Sequence, residues 1–334
     1  MNEGGDNPES KTVFVAGASG TIGRAVVRAL VADGHTVLAQ RRASTPASTP
    51  ITKLDAGTVP DEWTGAQIIA CDLADTPALA RAMDAHRPTV VISCIASRTG
   101  APKDAMAVDY AANSALLEAA QAGGAQHFIL LSAICVQRPK LAFQHAKLAF
   151  EKELIEARID HTIVRPTAFF KSLSGQVARV AKGGKFMVFG DGNLTRCKPI
   201  SDTDLARFIA LCVTDLAKRG MTLPIGGPGP AISPHDQWEI LRAIMDDGRP
   251  PIQRISPRWL TRIGAIFDTA ARLSPLAREW LAEKAEYLKI AHYYATQSML
   301  VLDPETGEYS AELTPEFGKD HLSDHYTDLI EAAR

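Results

Sequence analysis

Three glycines stand at fixed spacing in Gly17-Ala18-Ser19-Gly20-Thr21-Ile22-Gly23, directly after the apolar run Thr12–Ala16 and at the start of a helical pattern. A dinucleotide pyrophosphate needs backbone close to its oxygens and a helix N-terminus directed at its charge, and glycine permits both. The spacing is G-x-x-G-x-x-G, and a plain glycine-rich turn is the alternative. The position of the run, between a first strand and a first helix, favours the phosphate role for Gly17, Ser19, Gly20, Thr21, Ile22 and Gly23.

A second group marks the far nucleotide. The next strand ends in Gln40-Arg41-Arg42, where NAD-specific folds carry an Asp or Glu on the ribose 2′-hydroxyl. Arg41 and Arg42 suit a 2′-phosphate instead, which points to NADPH. Asp72-Leu73 closes the third strand. Asp72 is placed to accept from an adenine amino group, and an N-cap or turn role competes with that. The fourth strand runs into Cys94-Ile95-Ala96-Ser97, small residues suited to passing beneath a bound cofactor, with Ala96 as the contact.

Positioning these groups requires alternating elements. Strand patterns occur at Thr12–Ala16, Thr36–Ala39, Gln67–Ala70, Thr89–Ser93, His127–Leu131 and His161–Val164. Helical spacing fills Ile22–Ala32 and Ala105–Gln121 between them. That rhythm predicts an α/β fold, a Rossmann-type doubly wound parallel sheet with a smaller C-terminal substrate-binding region. Residues 1–11 read as a disordered leader, 12–165 as the NADP-binding domain, and 166–334 as a mixed region that completes the sheet and binds substrate. Ala43–Pro60, rich in Ser, Thr and Pro, reads as a surface loop. Ser201-Asp202-Thr203-Asp204 before Leu205–Val213 resembles a capping box. Gly226–Pro230 is a turn cluster, and a helix follows over Pro234–Met245. Trp259–Tyr294 is a long helical stretch broken at Pro275.

Bulk properties exclude several classes. The 334 residues are 46% hydrophobic and 22% charged, with a formal net charge of -2. Without a basic block, a nucleic-acid partner is not expected, because phosphate binding needs clustered Lys and Arg. No run approaches the roughly 18 apolar residues of a membrane span. The polar N-terminus is no signal peptide. Cys71, Cys94, Cys135, Cys197 and Cys212 form no C-x-x-C pair and read as buried thiols of a cytoplasmic protein. Arg254–Tyr294 holds seven basic and four acidic residues. Such a stretch allows peripheral contact with a membrane, although its mixed charges favour an ordinary domain helix.

Ser132 after the fifth strand and Lys147 within Phe143-Gln144-His145-Ala146-Lys147 make the chain resemble the short-chain dehydrogenase/reductase superfamily. There a Ser, Tyr and Lys act together. The resemblance implies catalytic roles for Ser132 and Lys147, with Lys147 also holding the nicotinamide ribose. It places Pro166 and Thr167 beside the nicotinamide. The Tyr position is Phe143, which has no proton to give, so ordinary alcohol–ketone chemistry is replaced by that of the atypical branch.

Longer runs narrow the resemblance. They are Ser132-Ala133-Ile134-Cys135-Val136, Val164-Arg165-Pro166-Thr167-Ala168-Phe169-Phe170-Lys171-Ser172, Lys198-Pro199-Ile200-Ser201-Asp202, Tyr293-Tyr294-Ala295-Thr296-Gln297-Ser298-Met299-Leu300, Asp303–Gly307, Thr314-Pro315-Glu316-Phe317-Gly318 and Asp324-His325-Tyr326. From about Thr12 to Tyr326 the chain is similar to the NADPH-dependent divinyl chlorophyllide 8-vinyl reductases of chlorophyll and bacteriochlorophyll synthesis. This implies reduction of a vinyl group on a magnesium tetrapyrrole. Phe143, Phe169, Phe170 and Tyr293 are then candidate contacts for the flat ring, with core packing as the alternative. The substrate brings its own magnesium, and the chain shows no metal-ligand cluster. His145, His235, His292, His321 and His325 are equivalent candidates for an axial ligand. Two other readings stand: an atypical reductase of flavonoid- or lignan-like substrates, and a non-catalytic NADP(H) sensor resembling negative regulators of nitrogen metabolism. Retained Lys147 and the tail runs argue against the sensor.

The cation pair generates a direct test. Each charge-assisted hydrogen bond is worth roughly 1.5–3 kcal/mol. Arg41→Ala with Arg42→Ala is therefore expected to weaken NADPH binding by at least about tenfold and leave NADH binding nearly unchanged. Titration of both cofactors checks this, and equal losses would refute the assignment.

Overall fold

Strands buried on both faces read as continuous apolar runs, and only helices on both sides can cover them. The computed structural model describes residues 10–42, 64–245, 250–273 and 277–333. In it β1 (Thr12–Ala16), β2 (Thr36–Arg41), β3 (Gln67–Ala70), β4 (Val90–Ser93), β5 (His127–Leu131), β6 (Asp160–Pro166) and, beyond β7 (Phe186–Phe189), β8 (Met221–Ile225) form one sheet in the order β3-β2-β1-β4-β5-β6-β8. Every neighbouring pair is parallel. The order reverses between β1 and β4, and ligands of open α/β sheets bind at such a switch point, outside the carboxyl ends of the strands.

The period of two assigns each strand's side chains to two cores. Val13, Val15, Val37 and Ile92 pack with α1 (Thr21–Ala32) on one face. Phe14, Leu38, Val91 and Phe128 pack on the other, beneath α2 (Thr76–His86) and two further helices introduced below. Pro102–Ala105 forms α3, Met106–Ala112 continues it with i→i+5 bonds, and Asn113–Ala122 forms α4. The single helix expected over Ala105–Gln121 is thus divided by a widened turn. Ala142–Glu156 forms α5, whose Phe150 meets Phe128 edge-on at 5.9 Å. The remaining helices are α6 (Phe170–Leu173), α7 (Val177–Ala181), α8 (Asp202–Thr214), α9 (Pro234–Ile244), α10 (Arg258–Leu273), α11 (Arg278–Thr296) and α12 (Leu322–Ala333). Leu205, Ile209 and Val213 of α8 complete the core beside α1.

A separate small core lies away from the sheet. β7 pairs parallel with β9 (Ile252–Ile255), and Phe186, Val188, Val177, Leu241 and Tyr326 pack around the ribbon. A short antiparallel pair, β10 (Val301–Leu302) with β11 (Tyr309–Ser310), opens the tail. The sequence reading did not anticipate β7, β8 or β9. β8 carries Pro224 at the sheet's edge, where proline is tolerated but disguises a strand.

The capping-box expectation is corrected. Ser201 does cap α8, accepting from the Asp204 N–H at 2.9 Å. Asp204 does not complete a capping box, because its carboxylate accepts from the N–H groups of Lys319 and Asp320 at 3.0 and 2.9 Å. It clamps the tail instead. The long helical stretch is a hairpin of α10 and α11, and Pro275, the expected break, lies outside the described residues between them. The expected leader up to residue 9 and the loop Ala43–Pro60 also lie outside them. All five cysteines are free thiols. No helix of the described residues is long and apolar enough to cross a membrane.

Candidate active site

The glycine run sits at the carboxyl end of β1. Gly17 has φ 74, and a Cβ there would press on the Cys94 backbone at 3.0 Å. A Cβ at Gly23 would overlap the Gly17 carbonyl oxygen. Both therefore have to be glycine for the turn to close between β1, β4 and α1. Gly20 is the N-cap of α1 and donates to the Gly17 carbonyl at 3.0 Å, with Thr21 and Ile22 in the first turn. Lys171 Nζ donates to Thr21 Oγ at 2.7 Å. A cation at a helix N-terminus opposes the helix dipole, so this placement favours an anion between them.

Gln40 is a positioning residue that sequence reasoning passed over. Buried at the end of β2, it accepts from Gly17 N–H at 3.0 Å and donates to the Cys71 carbonyl at 2.8 Å. It thereby ties the glycine turn to the third strand. The available signal was an amide within an otherwise apolar strand. Arg41 ends β2 half-buried, and Arg42 follows it exposed. Asp72 closes a turn by accepting from Ala74 N–H at 3.0 Å, and Leu73 is buried beside it.

Next to the turn, the ends of β4, β5 and β6 open into a cavity of about 860 Å3, within the range of small-molecule sites. Ala96, Ser132, Pro166 and Thr167 line it, together with Lys147 and Phe143 from one face of α5. Lys147 Nζ lies 2.9 Å from Asp109 Oδ1, and both side chains are almost fully buried. Asp109 stands in the widened turn, and the Ser97 N–H reaches the same oxygen at 3.3 Å. Its other oxygen, Oδ2, is buried without a hydrogen-bond partner. Asp109 had no sequence signal, because nothing in the pattern marks a turn of i→i+5 bonds.

The Ser132 hydroxyl donates to Glu151, which pairs with Arg165. It is committed to the protein rather than to a substrate carbonyl. The Thr167 hydroxyl likewise donates to the Lys198 carbonyl, and Lys198 pairs with Glu316. The Lys198 and Thr314 sequence runs thus form one structural clamp behind the site.

Of the four aromatic candidates, Phe143 and Phe169 line the cavity and two do not. Phe170 points into the small core and stacks near His325 at 5.6 Å. Tyr293 is buried, its hydroxyl donating to the carbonyls of Cys135 at 2.8 Å and Arg138 at 3.1 Å. The next residue, Tyr294, lines the cavity in its place. Burial holds the Tyr294 phenol well above its ordinary pKa, which makes it a weak acid. Burial also pushes the cavity thiols Cys94 and Cys197 up to about 12, so neither is a thiolate at neutral pH. None of the five candidate histidines lines the cavity. Arg98 and Arg196, also unmarked in the sequence reading, are its other cations.

Proteins described as NAD(P)H-binding match residues 17–216. The chain is 44% identical to the chloroplastic divinyl chlorophyllide a 8-vinyl-reductase of Oryza sativa subsp. indica, over 97% of this chain and 79% of that protein. It is 43% identical to the protein of that name from Arabidopsis thaliana, over 97% and 78%. The solved structure of AtPrR2 with NADP+ and (+)pinoresinol aligns with a TM-score of 0.63 over 96% of this chain and 99% of that one. At 16% identity that likeness speaks for the fold alone.

The buried ion pair generates a stability test. Removing one partner strands the other charge, at a cost of roughly 3–5 kcal/mol. Lys147→Met is expected to lose about that much in urea unfolding, and adding Asp109→Asn is expected to recover most of it. A single variant as stable as the parent would show that Asp109 does not need its partner.

Proposed function

The chain belongs to the divinyl chlorophyllide a 8-vinyl-reductases, within the NAD(P)H-binding proteins, and we propose that it reduces the 8-vinyl group of divinyl chlorophyllide or protochlorophyllide a to ethyl at the expense of NADPH. One observation carries the mechanism: Phe143 occupies the position of a proton-donating Tyr, one helical turn from a retained Lys147, on the wall of the cavity. Peripheral contact with the membrane that holds such pigments goes with this reading.

The residues present fit the cofactor. Gly17, Ser19, Gly20, Thr21, Ile22 and Gly23 offer the pyrophosphate a turn from which side chains are excluded at Gly17 and Gly23 and the N-terminus of α1, with Lys171 as a further cation. Arg41 and Arg42 take the 2′-phosphate, and Asp72 and Leu73 border the adenine. Asp109 is closed off from solvent and acts by fixing Lys147. Lys147 holds the nicotinamide ribose, and Ala96, Pro166 and Thr167 bound the nicotinamide. Bound there, NADPH supplies a hydride.

The substrate explains the absent acid. A vinyl group conjugated with a macrocycle accepts hydride at its terminal carbon, and the resulting negative charge spreads over the ring. A proton then adds to the carbon beside the ring, so two hydrogens are gained and no carbonyl oxygen needs protonation. The Lys147 ammonium stabilises the developing charge electrostatically. Phe143, Phe169 and Tyr294 offer apolar faces to the ring. Arg98 and Arg196 are the cavity guanidiniums suited to the pigment's propionate. Ser132 acts through Glu151 as a positioning residue for α5.

Incubation with NADPH and divinyl chlorophyllide, followed by chromatography and mass measurement, is expected to yield a product two hydrogens heavier with a shifted Soret band. Phe143→Tyr is expected to bring no gain in rate. Unchanged pigment in the presence of bound NADPH would refute the reading, and a faster Phe143→Tyr variant would refute the mechanism.

A further inference from the structure

The α10–α11 hairpin keeps large apolar side chains in solvent. On α10, Trp259, Ile263, Ile266 and Leu273 recur at i, i+4, i+7 and i+14, the spacing of one helical face. Trp259, Ile266 and Leu273 are 56%, 66% and 78% exposed. The face turned to α11 carries small or half-buried residues, with Gly264 near Leu288. The strongest apolar line on the helix is therefore the one that no described part of the chain covers.

α11 bears a second line. Trp280, Tyr287 and Tyr294 follow at heptad spacing; the first two are exposed, and Tyr294 is partly exposed with its hydroxyl turned inward to Cys135 Sγ at 3.8 Å. Two contacts fix how the lines relate. Phe267, on the flank of α10 nearer its apolar line, meets Trp280 edge-on at 6.3 Å. Asp268 and Lys289, on the opposite flanks of their helices, pair at 3.2 Å. Both lines therefore open on the same side of the hairpin. The second line ends at Tyr294, which lines the cavity with Ile290 and Ala291. The apolar surface is continuous with the cavity wall.

Charge selects the occupant. Lys289 is tied by Asp268 and Glu286, and Glu279 pairs with Lys103. The hairpin's remaining cations, Arg258, Arg262, Arg272, Arg278 and Lys284, outnumber its remaining acid, Glu283. Arg262 lies 5.7 Å from the Trp259 ring and Lys284 5.8 Å from that of Trp280. Cations beside Trp, Tyr and aliphatic side chains match the boundary between anionic headgroups and acyl chains. The buried centre of a protein–protein interface is instead depleted of charge.

We propose that this face docks on an anionic lipid surface and holds the cavity mouth against the bilayer. Docking rests on the hairpin alone; that it serves pigment transfer rests on the reductase reading. Apolar burial supplies adhesion, and each basic residue near an anionic surface adds attraction that salt weakens.

Sedimentation of the pigment-free chain with vesicles tests docking separately from catalysis. The chain is expected to pellet with phosphatidylcholine vesicles containing phosphatidylglycerol, much less with phosphatidylcholine alone, and less as salt rises. Trp259→Glu with Ile266→Glu is expected to lower vesicle partitioning at least about tenfold, with NADPH affinity and turnover of detergent-dispersed pigment unchanged. A parent that stays in the supernatant, or a variant that pellets like it, would overturn the proposal. A concentration-dependent dimer dissolved by the same substitutions would overturn it too, assigning the face to a second copy.

Discussion

The buried pair of Lys147 and Asp109 constrains the whole site. Taking two charges out of water costs several kcal/mol each, and mutual attraction repays this only when the geometry is good. The chain secures that geometry by widening a helix. The i→i+5 bonds of Met106–Ala112 carry Asp109 into the space between β4 and α5, where Ser97 N–H and Lys147 Nζ reach the same oxygen. Asn113 then donates to the Asp109 carbonyl at 3.1 Å and accepts from Ser93 at 2.6 Å, fixing the turn to the strand. A single turn thus sets the end of β4, the height of α5 and one wall of the cavity.

The residues around the cavity are also braced from far along the chain. Lys198 pairs with Glu316 and donates to the Thr314 carbonyl at 3.3 Å. Asp204 receives two backbone N–H groups of the tail, and Phe317 packs edge-on against Phe208 at 5.2 Å. Tyr326, fully buried, donates to the Leu173 carbonyl at 3.0 Å. These contacts brace the chamber, and Phe143 brings no acid to its wall. A substrate whose π system takes up the incoming charge is compatible with such a chamber, whereas a carbonyl substrate would need a proton donor there.

The sheet was legible because parallel strands buried on both faces carry a continuous apolar run, as β1 to β6 each do, with polar residues such as Gln40, His127 and Asp160 at or near strand ends. The glycine turn was legible because two of its positions exclude any side chain. Orientation within helices was not. Tyr293 and Tyr294 are adjacent, yet one residue of helix turns a side chain by about 100°, so the first is a buried clamp and the second lines the cavity. Phe169 and Phe170 also divide, the first in extended backbone as the N-cap of α6 and the second within the helix. Ser201 read correctly as a cap, but the partners of Asp204 lie more than a hundred residues away and no local pattern announces them. Asp109 and Gln40 escaped notice because each works through backbone geometry that pairing creates.

The central claim is that hydride arrives at the terminal vinyl carbon and that the second hydrogen comes as a proton at the carbon beside the ring. The direct measurement is the position of deuterium in the product ethyl group when the reaction runs with NADPH deuterated at both C4 positions. Cofactor deuterium in the terminal methyl, with hydrogen from water in the adjoining methylene, is the predicted result. Cofactor deuterium in the methylene, or reduction without transfer from the cofactor, would contradict the account.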